Sequence, residues 1–349
     1  MRPKPGGERV MMTPKENILA ALNHQSYDWT PNYMTDVMNR GFGFGQGPWF
    51  EKGPVSGGLD GFGVRWVTPD SGGGAPTPAP GEFVLDSDSI VDWEDIVTFP
   101  DVEGFDWENH VLEDQVRGGD RNRQALDFGS GNGPFERLAA LMGFEEALIA
   151  LAVEPEATAA LLNAIVDYKI KVAEYAWKYF QPDMFTNYDD IATERALFMS
   201  PDAYREVIKP AHKRLYDAVR DIGMIPIQHT CGRAEALIED FIEIGVAGWT
   251  SVQPTNDIVS LLEKYGDKIC LMGGYDTNGK PGQVDASEEV IRQEVQRDFE
   301  TYGAHNGYIF FGFLLVNSGN PAERREAMKP LIQVSAECAE QARLNSVQR

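Results

Sequence analysis

From residue 183 onward, short runs of apolar, β-type residues alternate with longer segments whose apolar positions recur at helical spacing. The predicted strands are 183–188, 224–228, 248–252, 268–272 and 308–313, and each ends in polar or glycine residues. Parallel strands need a crossover helix between them, so this alternation predicts a series of parallel βα units.

The segments between the strands carry signals for helix starts. Ser200 is a natural N-cap with Pro201 at the first helical position, and this helix is predicted to run to about residue 220. Asp285, followed three residues later by Glu288, predicts a second start of the capping-box type. Two further helices are predicted, at 135–151 and 155–179.

The number of units indicates the fold class. Five βα-like units and an earlier apolar run at 124–128 are too many for a small domain and predict an α/β fold, a single (β/α)8 TIM barrel. An open doubly wound sheet is the structural alternative. The chain has no GxGxxG after a predicted strand and no GxxxxGK[ST], so the nucleotide-binding form of that alternative lacks its loops.

The first 110 residues break the pattern. They hold five of the seven Trp, a Gly-rich stretch at 41–45 and the loop-forming SGGGAPTPAPG at 71–81. We interpret 1–12 as a disordered tail and 13–345 as one barrel domain, with 30–110 as its loop-rich part covering the barrel mouth. The aromatic residues of this part indicate core or subunit contacts or, alternatively, a lid over the mouth; they are Tyr33, Phe42, Phe44, Trp49, Phe50, Phe62 and Trp66.

Composition limits the partners. The 349 residues include 31 basic and 54 acidic ones, and the net charge of −23 repels nucleic acid and anionic membrane surfaces. The opening MRPKPGGERVMM has no apolar core of a signal peptide, and no run of 18 apolar residues occurs. The three Cys are sparse and odd in number, which fits a reducing compartment. We therefore expect a cytoplasmic protein without nucleic-acid or membrane partners.

The candidate chemistry lies in the stretch PIQHTCGR. Residues two apart on an extended segment point the same way, so His229 and Cys231 should project together at the end of a strand, into the mouth of a barrel. Gly232 permits a tight exit, and Arg233 with the amino end of the next helix is expected to favour a thiolate at Cys231. A neutral imidazole with a thiolate is a zinc-type ligand pair. The alternative, a buried His beside an ordinary thiol, stays open at this point.

A set of motifs in this order resembles the uroporphyrinogen decarboxylase superfamily. They are SPDAYREVIKP at 200–210, HTCG at 229–232, FIEIGVAGWTSVQP at 241–254 and GDKICLMGGYDT at 266–277, with DGFGVRW at 60–66 and GPFE at 133–136. The resemblance spans about residues 13–335. It implies a single (β/α)8 barrel of a kind that is often dimeric, so a homodimer is one of its implications.

The superfamily contains two chemistries. True decarboxylases carry an arginine-rich PxWxMRQAGR-like segment that meets substrate carboxylates, whereas this chain has PNYMTDVMNRG at 31–41, with one arginine. A substrate with many carboxylates needs paired cations. The HxCG element instead resembles the cobalamin-dependent methyltransferase branch, in which His and Cys hold zinc and a methyl group moves to or from a corrinoid protein.

The chain departs from that branch at the third zinc ligand. The branch usually supplies a Cys after the last barrel strand, where this chain has FGFLLVN at 311–317. Cys270, early in a predicted strand, and Cys338, in a predicted terminal helix, are interpreted as structural. Oxygen ligands would then complete the site. The best-placed candidates, which are alternatively substrate-binding or turn residues, are Asp276 and one of Asp189 and Asp190.

The resemblance implies a zinc-dependent methyltransferase that moves a methyl group from a methoxylated, aromatic O-methyl substrate to the Co(I) corrinoid of a partner protein. An oxygen-rich zinc site suits an ether, because zinc acts there as a Lewis acid. The predicted metal ligands are His229 and Cys231, the predicted catalytic residues Tyr188, Asp189, Asp190 and Asp276, and the predicted substrate-binding residues Tyr33, Asp36, Gln253 and Tyr275. The alternatives are a uroporphyrinogen decarboxylase, with Asp36 as the catalytic acid, and a non-catalytic corrinoid-binding relative.

Overall fold

The computed structural model describes residues 11–42, 57–68, 76–111, 118–316 and 321–347. Within these ranges no helix combines the length and the hydropathy needed to cross a bilayer. Most of the predicted tail 1–12 lies outside the described residues, as do parts of the stretches 41–45 and 71–81. The aromatic residues Phe44, Trp49 and Phe50 also lie outside them.

The described strands form two sheets. Seven strands make a parallel sheet in the order β1-β5-β6-β7-β8-β9-β10, and β2, β3 and β4 make a small antiparallel one. In chain order the strands are β1 (Val37–Phe42), β2 (Gly58–Leu59), β3 (Arg65–Val67), β4 (Thr77–Pro78), β5 (Ala125–Ser130), β6 (Met184–Tyr188), β7 (Ile225–His229), β8 (Gly248–Val252), β9 (Cys270–Gly274) and β10 (Tyr308–Phe311).

The parallel sheet closes on itself through the segment that precedes β1. Asn32 forms a parallel bridge with Phe310 of β10, and the Phe310 N–H donates to the Pro31 carbonyl at 2.9 Å. The Asn32 side chain also donates to the Ser335 hydroxyl at 3.1 Å, which ties this closure to the last helix. A closed parallel sheet with helical crossovers is a TIM barrel, so the predicted fold class is confirmed.

Helices connect the strands. In chain order they are α1 (Pro14–Leu22), α2 (Tyr33–Asp36), α3 (Trp93–Ile96), α4 (Pro134–Met142), α5 (Phe144–Val153), α6 (Pro155–Phe180), α7 (Pro201–Ala203), α8 (Lys209–Ile222), α9 (Ile238–Glu243), α10 (Ile258–Tyr265), α11 (Glu288–Thr301) and α12 (Pro321–Val347). Ser200 caps α7 as predicted, because its hydroxyl accepts from the Ala203 N–H at 3.1 Å.

Helix α1 closes the amino end of the barrel. Its Ile18, Ala21 and Leu22 pack against apolar residues that lie early in the strands, such as Ala125 and Met184. The predicted structural role of Cys270 agrees with this packing: the residue is fully buried in the same cluster, and its thiol donates to the Ala21 carbonyl at 3.2 Å. The carboxyl ends of the strands are therefore the open side of the barrel, where the active sites of this fold lie.

Two helix predictions were wrong. The single helix at 135–151 is divided into α4 and α5 at Gly143, whose φ of +85° cannot continue a right-handed helix. The N-cap of α11 is Ser287 rather than Asp285, with its hydroxyl accepting from Val290 N–H at 3.4 Å. Strand β1, a full member of the barrel, lies within 30–110, which was interpreted as loop-rich.

Candidate metal centre

Three side chains bring one potential ligand atom each to the same point at the carboxyl ends of β6 and β7. They belong to Asp190, His229 and Cys231, and the three atoms all lie within 4.8 Å of one another. The Cys231 Sγ and the His229 Nε2 are 3.6 Å apart. Within the described part of the chain, no other group of three His, Cys, Asp or Glu side chains converges in this way.

The pairing of two neighbouring strands produces this convergence. Tyr188, the last residue of β6, lies opposite His229, the last residue of β7. Beyond the strands, the Asp189 N–H donates to the His229 carbonyl at 3.0 Å, and the Cys231 N–H donates to Asp190 Oδ1 at 2.7 Å. These two bonds hold the strand exits side by side, so residues 190 and 231 face the same space.

Burial controls the protonation of the imidazole and the thiol. It lowers the pKa of His229, although the Asp190 carboxylate opposes this, and a neutral ring is the form that binds a metal. Burial also raises the pKa of Cys231 well above its usual range, and the carboxylates of Asp190 and Glu136 raise it further. The thiol is therefore protonated until a cation compensates the charge of the thiolate.

The predicted stabilisation of a Cys231 thiolate by Arg233 was wrong. The Arg233 guanidinium forms an ion pair with Glu235 at 2.8 Å and is about half exposed, at 52%. The segment that follows begins as a short 3-10 turn at Glu235 and becomes α-helical only at Ile238. Neither the guanidinium charge nor a well-formed helix end therefore compensates a negative sulfur.

The donor set fits a catalytic zinc ion. Zinc binds imidazole nitrogen, thiolate sulfur and carboxylate oxygen, and its catalytic sites combine three protein ligands with an open position. His229 offers a neutral nitrogen, Cys231 a sulfur, and Asp190 the oxygen that takes the place of the absent second cysteine. Assignment of these three residues as ligands stays a prediction, which the geometry supports.

Asp189, the neighbour of Asp190, turns to the opposite side and caps α4. Its carboxylate is fully buried and accepts from the N–H groups of Phe135 at 3.1 Å and Glu136 at 2.7 Å. It also lies 2.6 Å from the His212 Nε2. The sequence left open which of the two aspartates faces the site, and the structure brings only Asp190 to His229 and Cys231.

Gln228, which was not among the predicted site residues, fixes the backbone behind the cluster. The side chain is fully buried, and its amide donates to the carbonyl oxygens of Asp189 at 3.0 Å and of His229 at 2.8 Å. The Tyr216 hydroxyl donates to the Gln228 Oε1. A polar residue beside His229 in an otherwise apolar strand was the available signal, because a buried amide must find partners.

Tyr188 lies beside the candidate ligands. Its ring centroid is 4.5 Å from that of His229. Burial raises the pKa of its hydroxyl, and the carboxylate of Asp127 and the thiol of Cys231 raise it further, so the group is a neutral phenol. A Cβ at residue 129 would approach the Tyr188 ring to 2.9 Å, so glycine at this position leaves room for the ring.

A buried polar group lies deeper in the barrel. The Tyr33 hydroxyl donates to the Asp127 Oδ2 at 2.5 Å, and the Thr186 hydroxyl donates to the same oxygen at 2.7 Å. The Asp127 Oδ1 is buried and has no hydrogen-bond partner among the described residues. Burial raises the pKa of Asp127. Tyr33 was predicted to bind substrate, whereas Asp127 was missed although it interrupts an apolar run.

Tyr275 and Asp276 follow β9, and their side chains form hydrogen bonds within the loop that carries them. The Tyr275 hydroxyl donates to the Pro281 carbonyl at 2.7 Å, and the Asp276 carboxylate accepts from the Gly279 N–H at 2.9 Å. Asp276 does not join the cluster of candidate ligands. Its position therefore agrees with the turn alternative rather than with the ligand role.

Asp36 and Gln253 also have structural partners. Asp36 precedes β1, at the amino end of the barrel, and its carboxylate accepts from the Asn32 N–H at 2.9 Å. A role at the mouth does not fit this position, because the mouth is formed by the opposite ends of the strands. The Gln253 Oε1 accepts from the Gly232 N–H at 3.0 Å and so supports the loop that carries Cys231.

An apolar cavity of about 510 Å³ meets the cluster at Asp190. Two larger cavities, of about 700 and 710 Å³, lie at the amino end beside α12 and contain none of the candidate ligands. Size alone therefore does not identify the functional cavity. The cavity of about 510 Å³ is the candidate for substrate binding, because a candidate metal ligand, Asp190, forms part of its wall.

Comparison with known proteins places this site in a family. Residues 122–312 match the family described as Uroporphyrinogen decarboxylase (URO-D), a stretch that contains all three candidate ligands. A uroporphyrinogen decarboxylase of Thermus thermophilus is 32% identical over 114 residues, which are 32% of this chain and 31% of that protein. The methylcobamide:CoM methyltransferase MtaA of Methanosarcina barkeri is 25% identical over 138 residues, 39% of this chain and 36% of that protein. The chain thus matches about a third of the length of each relative.

A solved structure extends the likeness of the fold to nearly the whole chain. A methyltransferase from Methanosarcina mazei superposes with a TM-score of 0.61 at 15% sequence identity, and covers 93% of this chain and 99% of that one. At this identity the likeness supports the barrel fold and carries no further conclusion about chemistry.

Proposed function

The chain belongs to the uroporphyrinogen decarboxylase family, and within it we propose a zinc-dependent methyltransferase that moves a methyl group from a methoxylated aromatic substrate to the Co(I) corrinoid of a partner protein. The observation that carries the proposal is the convergence of Asp190, His229 and Cys231. The similarity to a methylcobamide:CoM methyltransferase supports methyl transfer as the reaction type.

Each of the three residues has its own part in the proposed centre. His229, kept neutral by burial, donates a nitrogen ligand, and Cys231 gives up its proton when the metal binds. Asp190 supplies the carboxylate oxygen and, through the Cys231 N–H, holds the loop that carries the sulfur. Zinc bound by them would act as a Lewis acid toward the ether oxygen of the substrate.

The overall reaction balances without an additional oxidant or reductant. The bond between oxygen and the methyl carbon breaks, the oxygen keeps the electron pair and takes up a proton, and the methyl group passes to the Co(I) centre, which is formally oxidised to Co(III). Tyr188 contacts the imidazole and remains a neutral phenol. We assign it to holding His229 in place at the mouth.

Decarboxylation of uroporphyrinogen is the second candidate, and the 32% identity to a Thermus thermophilus decarboxylase favours it. The small number of basic residues in 31–41 argues against this activity. Arg40 is the one arginine there, and its guanidinium donates to the carbonyl oxygens of Asn39 at 2.9 Å and Gly118 at 2.8 Å. A substrate rich in carboxylates would need paired cations at this place. Incubation with uroporphyrinogen, with analysis for coproporphyrinogen, tests this candidate directly.

Metal analysis tests the main proposal. We expect the purified protein to contain about one zinc ion per chain, as a single three-ligand site requires. His229→Ala and Cys231→Ala should each lose the metal and the methyl transfer while circular dichroism shows a folded barrel. Asp190→Asn should weaken zinc binding, because an amide oxygen carries no charge.

Cys338→Ser is the matched control for the thiol. Cys338 is a half-buried, unpaired cysteine on α12, remote in sequence from the cluster, and its replacement should leave the zinc content unchanged. Methyl transfer at the full rate by metal-free His229→Ala protein would contradict the proposal. Binding of a corrinoid partner without any turnover would favour the non-catalytic alternative.

Location and assembly are further parts of the proposal. Cys231, Cys270 and Cys338 are all free thiols, which supports a reducing compartment and hence the cytoplasm. A homodimer remains a prediction from the family resemblance. Light scattering on the purified protein measures the mass of the particle against that of one chain.

A further inference from the structure

The apolar cavity beside Asp190 is lined by a cluster of three phenylalanine rings. The ring centroids of Phe144 and Phe198 are 4.7 Å apart in an edge-to-face arrangement, and Phe135 lies 6.1 Å from Phe144. Phe144 nevertheless leaves 46% of its surface exposed. The volume of about 510 Å³ is in the range of cavities that hold small molecules. Exposed aromatic edges in a cavity of this size suit a flat apolar ligand.

Two acidic residues connect this cavity to the candidate metal centre. Asp190 lies in the cavity wall and is one of the three candidate ligands. Glu136 lies in the same wall and is close enough to Cys231 to raise the pKa of its thiol. A ring held among the phenylalanines therefore lies in the same cavity as Asp190, one of the three candidate ligands.

The charges of the wall discriminate among aromatic ligands. The described residues that line the cavity include the carboxylates of Glu136 and Asp190 and no Lys, Arg or His. If the methoxy group points toward Asp190, a carboxylate at the far end of the ring would lose water there without gaining a cationic side chain as a partner. A neutral ring has no such penalty, and the net charge of −23 adds long-range repulsion of anions.

We propose that this cavity binds the ring of a neutral methoxyarene, with the methoxy group directed toward Asp190, and disfavours methoxybenzoates. This inference rests on the proposed function and narrows its substrate class. The geometry of the Phe135, Phe144 and Phe198 rings and the acidic wall carry it.

The test compares two ligands that differ by one carboxylate. Calorimetric titration of the zinc-loaded full chain with 1,2-dimethoxybenzene and with 3,4-dimethoxybenzoate should show at least about tenfold tighter binding of the neutral compound. Phe198→Ala and Phe144→Ala should each weaken binding of the neutral compound by about tenfold, since aromatic contact is lost. The zinc content should be unchanged in both variants.

Two further variants make the result specific. Trp177→Ala removes an aromatic side chain of comparable exposure, 37%, that does not line the cavity, and should leave binding unchanged. Phe198→Leu keeps most of the volume, so it should fold as the wild type does yet still lose affinity. Glu136→Gln should reduce the ratio of the two binding affinities several-fold, because the neutral amide no longer repels the benzoate.

The outcomes separate this inference from the proposed function. Equal or tighter binding of the benzoate would overturn the neutral-ring assignment. If the phenylalanine variants bind every ligand normally and still transfer the methyl group, the cavity is not the ring-binding site, and the methyltransferase proposal stays intact. Ring binding in the cavity without zinc and without methyl transfer would contradict the methyltransferase proposal and leave the assignment of the cavity intact.

Discussion

The thiol of Cys231 and the imidazole of His229 differ in what they must do before a metal can bind. Burial lowers the pKa of the imidazole, so at any pH above that value the ring is already neutral and loses no proton when it binds a metal. Burial and the two nearby carboxylates keep the sulfur protonated, so it must release a proton to become a ligand. The competition between metal and proton at the centre is therefore a competition for Cys231.

This competition predicts how zinc affinity depends on pH. Below the raised pKa of Cys231, one proton is released for each ion bound, so the association constant should rise about tenfold per pH unit. Competition with a chelator between about pH 6.5 and 8.5 measures it. Cys338→Ser keeps all three candidate ligands and should show the same slope as the wild type. A wild-type affinity independent of pH would show that the thiol is not the group that loses the proton.

Asp127 resembles Cys231 in this respect, because burial favours the protonated form of its carboxyl group. Burial raises its pKa in the folded protein, so the stability that the group contributes is present at low pH and is lost as the pH rises through the folded value. Hydrogen bonds to Oδ2 from Tyr33 and Thr186 favour the ionised form, but Oδ1 lacks a partner among the described residues, and desolvation has the larger effect.

Asp127→Asn tests this assignment. Asparagine does not titrate and keeps an oxygen that accepts from Tyr33 and Thr186. We therefore expect the free energy of unfolding of the variant, relative to that of the wild type, to improve as the pH rises from about 4, near the ordinary pKa of an aspartate, to about 8. Urea titrations at the two pH values measure this difference. A constant difference would mean that the pKa of Asp127 is the same in both states.

At the scale of elements, the centre depends on how α4 and β6 are joined. The buried Asp189 carboxylate accepts from two N–H groups at the start of α4, and Gln228 donates to the carbonyl of the same residue. Gly133 makes this approach possible, since a Cβ there would lie 2.3 Å from the Asp189 side chain. The helix start and the strand end are thus held together one residue away from Asp190.

Removal of this joint should cost stability. Asp189→Ala deprives the first turn of α4 of its acceptor and leaves the His212 Nε2 without its carboxylate, so we expect a loss of about 2 to 4 kcal/mol in the free energy of unfolding. Urea unfolding measures it, and zinc content on the same sample shows whether Asp190 has moved.

Asp276→Ala is the matched control for that substitution. The Asp276 carboxylate accepts from the N–H of Gly279 in a partly exposed loop, so its loss should change stability by less than about 1 kcal/mol. Equal effects of the two substitutions would contradict the assignment of Asp189 to the joint between α4 and β6.

At the scale of the whole molecule, charge acts against the compact state. The excess of 54 acidic over 31 basic residues gives a net charge of −23, and its self-repulsion is relieved when the chain expands. Salt screens charges that are more than about 8 Å apart at physiological ionic strength, which includes most pairs on the surface.

Added salt should therefore stabilise this protein. We expect the free energy of unfolding to be larger in about 0.5 M than in about 0.01 M sodium chloride, because screening weakens the net repulsion more than it weakens individual ion pairs. Urea titrations at the two concentrations, with the zinc-loaded protein in both, measure the change. A decrease would show that the surface ion pairs outweigh the net charge.

The sequence by itself determined the βα alternation, because the period of apolar residues is a local property. The number of units indicated a barrel, whereas closure of the sheet depends on the contact between Asn32 and Phe310. The sequence also determined that His229 and Cys231 lie together at the end of a strand, since residues two apart on an extended segment share a face. The ends of β6, β7, β8 and β10 fall within about two residues of their predicted positions for the same reason.

Only the tertiary structure decided which acidic residue joins them. Asp189 and Asp190 are adjacent and chemically alike, so the chain gives no reason to prefer one, whereas the start of α4 binds one and the exit of β7 binds the other. Helix α4 and strand β7 lie on either side of β6 and are brought to it only by folding. Contacts between elements distant in sequence likewise placed Asp127 beside Tyr33 and Thr186 in the barrel. Such contacts depend on the complete fold, and local patterns do not contain them.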